Sequence, residues 1–258
     1  MWAPPERPHF APLPTAAERP RLGLLLDRSP CEPDLEIERQ LLERAAEGGC
    51  VSASWEPTPG LVVPSSYRRF ERFEALAERF AARGWPVAVR RSGGGLVPQG
   101  PGVLNVSLAW RTACGMGHAM EPVYEGLCAK LRQALRPFGV DAAPQAVDGS
   151  FCDGRYNLAV GGRKVAGTAQ YWQRISASEH VVLAHACLLV EADLATLVRR
   201  ANEFEAQLGS DRQYAREAIA NLVPAHGPAP SDALGQRLST SLLKYRLDEA
   251  LRDSEVLC

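Results

Sequence analysis

No stretch of this 258-residue chain approaches the roughly 18 to 20 uninterrupted apolar residues that a helical membrane span requires. Excess charge is also missing: 29 Lys and Arg against 30 Asp and Glu leave a net charge of -1. That balance offers no broad positive field for nucleic acid or anionic lipid. The chain has 7 cysteines, at positions 31, 50, 114, 128, 152, 187 and 258, and no two of them show C-x-x-C spacing. The odd number and these spacings argue against a disulfide framework or a zinc site. They point to reduced thiols in a cytoplasmic protein with no metal centre. The opening stretch from Met1 to Pro20 is rich in proline and alanine. It lacks the basic start and apolar run of a secretory signal and reads as a loosely held tail.

Apolar residues make up 46% of the chain, enough for one sizeable core or one core with a small appendage. Leu22 to Asp27 is a short apolar run that fits a strand. Asp34 to Ala46 places Ile37, Leu41, Leu42 and Ala45 at helical spacing. Val51 to Val63 flanks Pro59-Gly60 and suggests a hairpin, and Ser65 or Ser66 could cap a helix from Tyr67 to Arg83. A strand over Pro86 to Val89 runs into the glycine run at Gly93. Val103 to Trp110 alternates, with Leu104, Val106, Leu108 and Trp110 on one face and Asn105 and Ser107 on the other. A third helix is expected over Met120 to Leu135. Strands over 155–160 and 163–170 should meet at a tight Gly161-Gly162 turn, which sets Lys164 opposite Ala159. Val181 to Val190 fits a buried strand. Helical patterns then cover 194–204, 214–222 and 234–251.

Strands and helices are mixed without regular alternation. The expected class is α+β, a mixed or largely antiparallel central sheet covered by helices. The expected organisation is a Pro-rich tail at 1–20, a catalytic domain at 21–208 and a small C-terminal helical appendage at 209–258.

Three segments carry candidate chemistry. Arg90-Arg91-Ser92-Gly93-Gly94-Gly95 ends a strand in consecutive glycines, where backbone N–H groups can approach an anion or carbonyl closely. Gly161 to Gln170 sets Lys164 among small residues, on the same strand face as Ala166 and Thr168. Ser150-Phe151-Cys152-Asp153-Gly154-Arg155 places a thiol at a turn. Taken singly, a solvated loop, a surface lysine and a buried structural thiol are the more economical readings. His118, His180 and His185 are each isolated and are expected to be structural or exposed.

Taken in order, these segments resemble the biotin/lipoate protein ligase and transferase superfamily. The resemblance runs from about Leu22 to Asp193 and includes Gly102-Val103-Leu104-Asn105-Val106-Ser107 and His185-Ala186-Cys187-Leu188-Leu189. In the last of these, alanine replaces the family's glycine after histidine. The resemblance implies one catalytic domain in which the glycine loop and a lysine line an acyl-binding cleft. Lys164 falls on the family's site lysine and Arg91 on the arginine before the loop. Gly93, Gly94, Gly95, Leu96, Val97 and Gly167 fall on the ligand-contacting positions.

Two chemistries compete within that superfamily. Lipoate ligases make an acyl-adenylate with ATP and Mg and usually carry His-Asp-x-Gly-Asn after the glycine loop. Here the run is Pro98-Gln99-Gly100-Pro101-Gly102, without the His-Asp pair. The Gly-Val-Leu-Asn-x-Ser stretch and the twelve-residue step from Cys152 to Lys164 are instead similar to octanoyl-[glycine cleavage H protein] amidotransferases. That likeness implies octanoyl or lipoyl transfer through a Cys152 thioester, with no cofactor beyond the acyl group. The implied acceptors are lipoyl-domain proteins: the glycine cleavage H protein and the acyltransferase subunits of 2-oxo acid dehydrogenases. An ATP-dependent ligase and a non-catalytic binder of lipoyl domains remain the alternatives. A lysine cation ~4 Å from a thiolate offers about 1 kcal/mol in water but about 4 at an effective dielectric of 20. Activating the thiol in this way therefore requires a cleft shielded from solvent.

Overall fold

The computed structural model describes residues 35–224 and 227–252. The proposed strand at 22–27 and the Pro-rich tail lie outside the described residues. A six-stranded sheet runs in the order β1 (Cys50–Trp55), β5 (Val103–Thr112), β9 (His180–Leu189), β8 (Arg163–Arg174), β7 (Leu158–Val160) and β6 (Ala143–Pro144), antiparallel throughout. A second sheet sets β2 (Gly60–Pro64) between β3 (Val87–Arg90), to which it is parallel, and antiparallel β4 (Val97–Gln99).

The alternation in β5 decides the layering. Leu104, Val106, Leu108 and Trp110 face the largest core cluster, covered by α3 (Met116–Leu135) and α5 (Thr240–Arg252). The opposite face packs part of its length on α1 (Leu35–Glu47), whose Ile37, Leu41, Leu42 and Ala45 meet Val51, Ala109 and Leu183. Asn105 and Ser107, on that same face, look into a cavity instead. A third cluster joins α2 (Phe73–Ala81), α4 (Leu194–Leu208) and the second sheet.

Four expectations change. β1 and β2 do not form a hairpin: Pro57 and Pro59 lack N–H donors for a ladder, β1 pairs with β5, and β2 enters the other sheet. The helix expected over Tyr67 to Arg83 is split into a 3₁₀ turn at Ser65–Arg69 and α2, which lets the Tyr67 hydroxyl reach the buried Glu205 carboxylate at 2.5 Å. Residues 214–222 are mostly extended, with one 3₁₀ turn at Arg216–Ala218. Their N–H groups pair with the sheet, Ala220 with the Lys164 carbonyl (2.9 Å) and Leu222 with that of Leu189 (2.8 Å). Finally, α5 starts at Thr240 because the Asp232 carboxylate takes the N–H groups of Leu234 and Gln236, both at 2.9 Å, bending the backbone into a turn before it. The segment beyond residue 208 is continuous with the catalytic core, since Leu238, Leu243, Leu247 and Leu251 belong to its largest cluster.

Candidate active site

The Gly161-Gly162 turn has both glycines at positive φ, 56° and 75°, as a tight primed turn requires, and it sets Lys164 opposite Ala159. The next paired residues are Leu158 and Ala166, so Val165 is an extra residue and β8 carries a bulge. A bulge re-aims side chains, and here it changes the expected orientation of Lys164. The ammonium shares the side of Gly167 rather than that of Ala166; a Cβ on Gly167 would sit 2.9 Å from Lys164 Nζ.

Lys164 is 4% exposed and points back across the turn that precedes β7. Its Nζ donates to the Phe151 carbonyl and, at 3.2 Å, to that of Cys152. The Asn157 amide also donates to the Cys152 carbonyl, at 3.2 Å. Cys152 itself has φ 48°, the one positive value among the described non-glycine residues. A non-glycine residue held there costs of order 1–3 kcal/mol and persists only where its surroundings enforce it. Three hydrogen bonds to the carbonyls of 151 and 152 do so. This is the bend that brings residue 152 back to the lysine, through its carbonyl.

The glycine loop completes the site. Gly95 N–H donates to Cys152 Sγ at 3.2 Å. A Cβ on Gly94 would overlap that sulfur and lie 3.2 Å from Arg90 Nη2, and one on Gly95 would lie 2.7 Å from Arg212 Nη1. Gly94, with φ 99°, needs glycine for this close approach, whereas at Gly95 the end of the Arg212 side chain would have to move aside. The guanidinium inside the site belongs to Arg90, not to Arg91, on which the resemblance placed it. It is buried and donates to the carbonyls of Val62 (3.0 Å), Gly93 (2.8 Å) and Gly95 (2.6 Å), with Nη2 3.9 Å from Cys152 Sγ. Arg91 instead lies at the surface, donating to Gln173 (3.3 Å) over the Tyr171 ring. Leu96 is buried in the core beside Phe151, whereas Val97 and Gly167 line the cavity.

Burial pulls the Lys164 ammonium down to about 8, opposed by the nearby Cys152. It therefore remains largely a cation at neutral pH. Cys187 faces the same cavity, where burial pushes its thiol up to about 11. Beyond it lies a group that the sequence did not reveal. The His185 imidazole meets Glu38 Oε1 through Nδ1 (2.6 Å) and Ser92 Oγ through Nε2 (3.0 Å), and Ser107 donates to Glu38 at 3.0 Å. Burial alone would push the Glu38 carboxyl up, but His185 and Ser107 outweigh it and hold it below the usual carboxylate range. Among the described residues, no group of three His, Cys, Asp or Glu side chains could hold a metal ion, and no helix is long and apolar enough to cross a membrane.

The fold is shared with solved ligases. The chain superposes on lipoate-protein ligase A bound with ATP with a TM-score of 0.59 at 18% identity, covering 84% of this chain and 77% of that one. A lipoate protein ligase of T. acidophilum with bound lipoic acid gives 0.58 at 17%, covering 84% and 78%. Those likenesses define the fold. The family model of the lipoyl protein ligase A/B catalytic domain matches residues 31–241, and the chain belongs to that family, whose enzymes serve protein lipoylation.

Among curated relatives, an uncharacterized protein of Cupriavidus necator is 49% identical over 191 residues, 70% of this chain and 76% of that one. An octanoyl-[GcvH]:protein N-octanoyltransferase of Kyrpidia tusciae is 40% identical over 144 residues, 54% of this chain and 49% of that enzyme, about half its length. Its counterpart from Geobacillus kaustophilus is 28% identical over 209 residues, 81% of this chain and 71% of that one.

Proposed function

We propose that the protein is an octanoyl or lipoyl transferase that carries the acyl group as a Cys152 thioester and passes it to a lysine of a lipoyl-domain protein. The observation that carries this reading is the Cys152 thiol itself. It is held at a positive φ, receives the Gly95 N–H and lies 3.9 Å from Arg90 Nη2, while Lys164 holds the carbonyl of the same residue. Such an arrangement offers an N–H donor beside the sulfur, where an attacked carbonyl oxygen would gain charge.

In the first step Cys152 Sγ attacks the acyl carbonyl of an octanoylated donor such as the glycine cleavage H protein. The C–N bond of the donor amide breaks and its lysine leaves with a proton. In the second step an acceptor lysine amine displaces the thioester, and the thiol is restored. Lys164 stabilises the turn that presents the sulfur, while Phe151, Val97 and Leu189 offer apolar surface to the chain. Each buried CH₂ contributes about 0.8 kcal/mol.

The test is acyl transfer from octanoylated H protein to an acyltransferase-subunit lipoyl domain, without ATP and Mg. Wild type should transfer and Cys152→Ala should not. Transfer confined to free octanoate or lipoate plus ATP and Mg would replace this reading with an adenylating ligase, and no transfer under either condition would leave a binder.

A further inference from the structure

Among the β9 residues that line the cavity, Leu189, Cys187 and His185 share one face of the strand. Cys187 pairs with Gly167 on β8 and Asn105 on β5, and His185 pairs with Ala169 and Ser107. Lys164 lies against Gly167, so the Cys152–Lys164 pair stands over the middle row of this floor. On one side is Leu189, in one apolar cluster with Phe151 and Val103. On the other, two residues or about 7 Å along the strand, are His185, Ser107 and the Glu38 carboxylate from α1. The floor is thus apolar on one side of the thiol and ionisable on the other.

An acyl chain belongs on the first side. The second fits the other reactant, an acceptor lysine, which arrives as an ammonium because its ordinary pKa is near 10.4. That ammonium must lose a proton before it can attack. Lys164, largely a cation itself and committed to two carbonyls, is poorly placed to accept one. His185 has the arrangement of a base: its Nδ1 side is oriented by a buried carboxylate, and its Nε2 meets only a rotatable hydroxyl, that of Ser92. Glu38 is held ionised in the same place, so it attracts a cation and stabilises the imidazolium that proton transfer creates.

We propose that the Glu38–His185 pair is the acceptor-lysine subsite, in which His185 Nε2 is the base that deprotonates the incoming ammonium and Glu38 is its positioning residue. The inference rests on the thioester reading above. Ser92 rotates aside and Nε2 takes one proton from the ammonium. The free amine then attacks the thioester carbonyl, the C–N bond forms and the C–S bond breaks. The second nitrogen proton goes to Cys152 Sγ, and His185 returns the first proton to solvent. One ammonium and one thioester thereby yield an amide, a thiol and one released proton.

The experiment uses full-length protein loaded on Cys152 with octanoyl groups, and follows discharge of one preparation by intact mass spectrometry. One portion is mixed with a lipoyl domain and another with hydroxylamine, which is unprotonated at neutral pH and needs no base. In His185→Gln the ratio of lysine transfer to hydroxylaminolysis should fall about 100-fold, the low end of general-base contributions. Glu38→Gln should lower the same ratio about 10-fold and gives a second reading if His185→Gln fails to fold. Ratios equal to wild type in both His185→Gln and Glu38→Gln would overturn the subsite while leaving the thioester intact. Absence of any Cys152 adduct in wild type would instead refute the thioester reading, and the subsite with it.

Discussion

Gly94→Ala should disable the enzyme with a smaller cost to folding. Gly94 has φ 99°, a region that L side chains rarely adopt, and its added methyl would overlap Cys152 Sγ and press Arg90 Nη2 at 3.2 Å. Backbone strain at such a position costs about 1–3 kcal/mol. The sulfur sits on a carbonyl-anchored turn and the guanidinium on three carbonyls, so the backbone beneath the sulfur cannot retreat. Either the sulfur turns away about χ1 or the loop lifts by about 1 Å, and both take Gly95 N–H out of reach of the sulfur. A misplacement of that size costs about 100-fold in rate, and loss of one oxyanion donor costs about 100- to 1000-fold. We expect octanoyl loading of Cys152 in a single turnover to slow 100- to 1000-fold, with stability in urea lower by about 1–3 kcal/mol. Gly117→Ala is the control, since nothing lies within 4 Å of a Cβ there and the residue is inside α3. Being in the first turn of α3, it should change stability by less than about 0.5 kcal/mol and leave loading unchanged. Loading of Gly94→Ala within threefold of wild type would refute this account of the loop.

Other consequences follow from the same geometry. Arg90→Lys keeps the charge but cannot span three carbonyls; it should cost about 2–4 kcal/mol in urea unfolding, whereas Arg91→Lys, at the surface, should stay within about 0.5. The native Lys164 value of about 8, against 10.5 for the ordinary side chain, means the unfolded chain holds more protons between those limits. Wild-type stability should therefore rise with pH from 8 to 10.5 relative to Lys164→Met, by at most ~3 kcal/mol. A flat difference would contradict the buried cation. Cys152 and Cys187 are both partly exposed, but burial pushes the Cys187 thiol up to about 11, so iodoacetamide at pH 8 should alkylate Cys187 at least about 10-fold more slowly than Cys152. Peptide mapping reads the two rates.

Much of the scaffold was legible because local pattern and tertiary environment agree. β5 alternates as its two faces demand, Gly161-Gly162 adopts the turn that two glycines favour, and α1, α3, α4 and β9 fall close to their periodic runs. The elements that went astray are those whose backbone groups bond outside their own segment, such as the 214–222 stretch, which pairs with the sheet. At the site, the spacing of Cys152 and Lys164 was readable. The bulge at Val165 was not, because one extra residue reverses a side chain without altering composition. Nor could the sequence tell which of Arg90 and Arg91 turns inward, since β3 is half-buried on both faces until its end at Arg90. Glu38 resembled a routine acidic residue in the first turn of a helix. Its partner His185 lies 147 residues away, a contact that only the assembled sheet creates.

The most direct test of the account is intact-protein mass spectrometry of wild type and Cys152→Ala after incubation with octanoylated H protein and no ATP. The account predicts one octanoyl adduct on wild type that hydroxylamine removes, and none on the variant. An adduct on both proteins, or on neither while an acceptor lysine still becomes acylated, would contradict it.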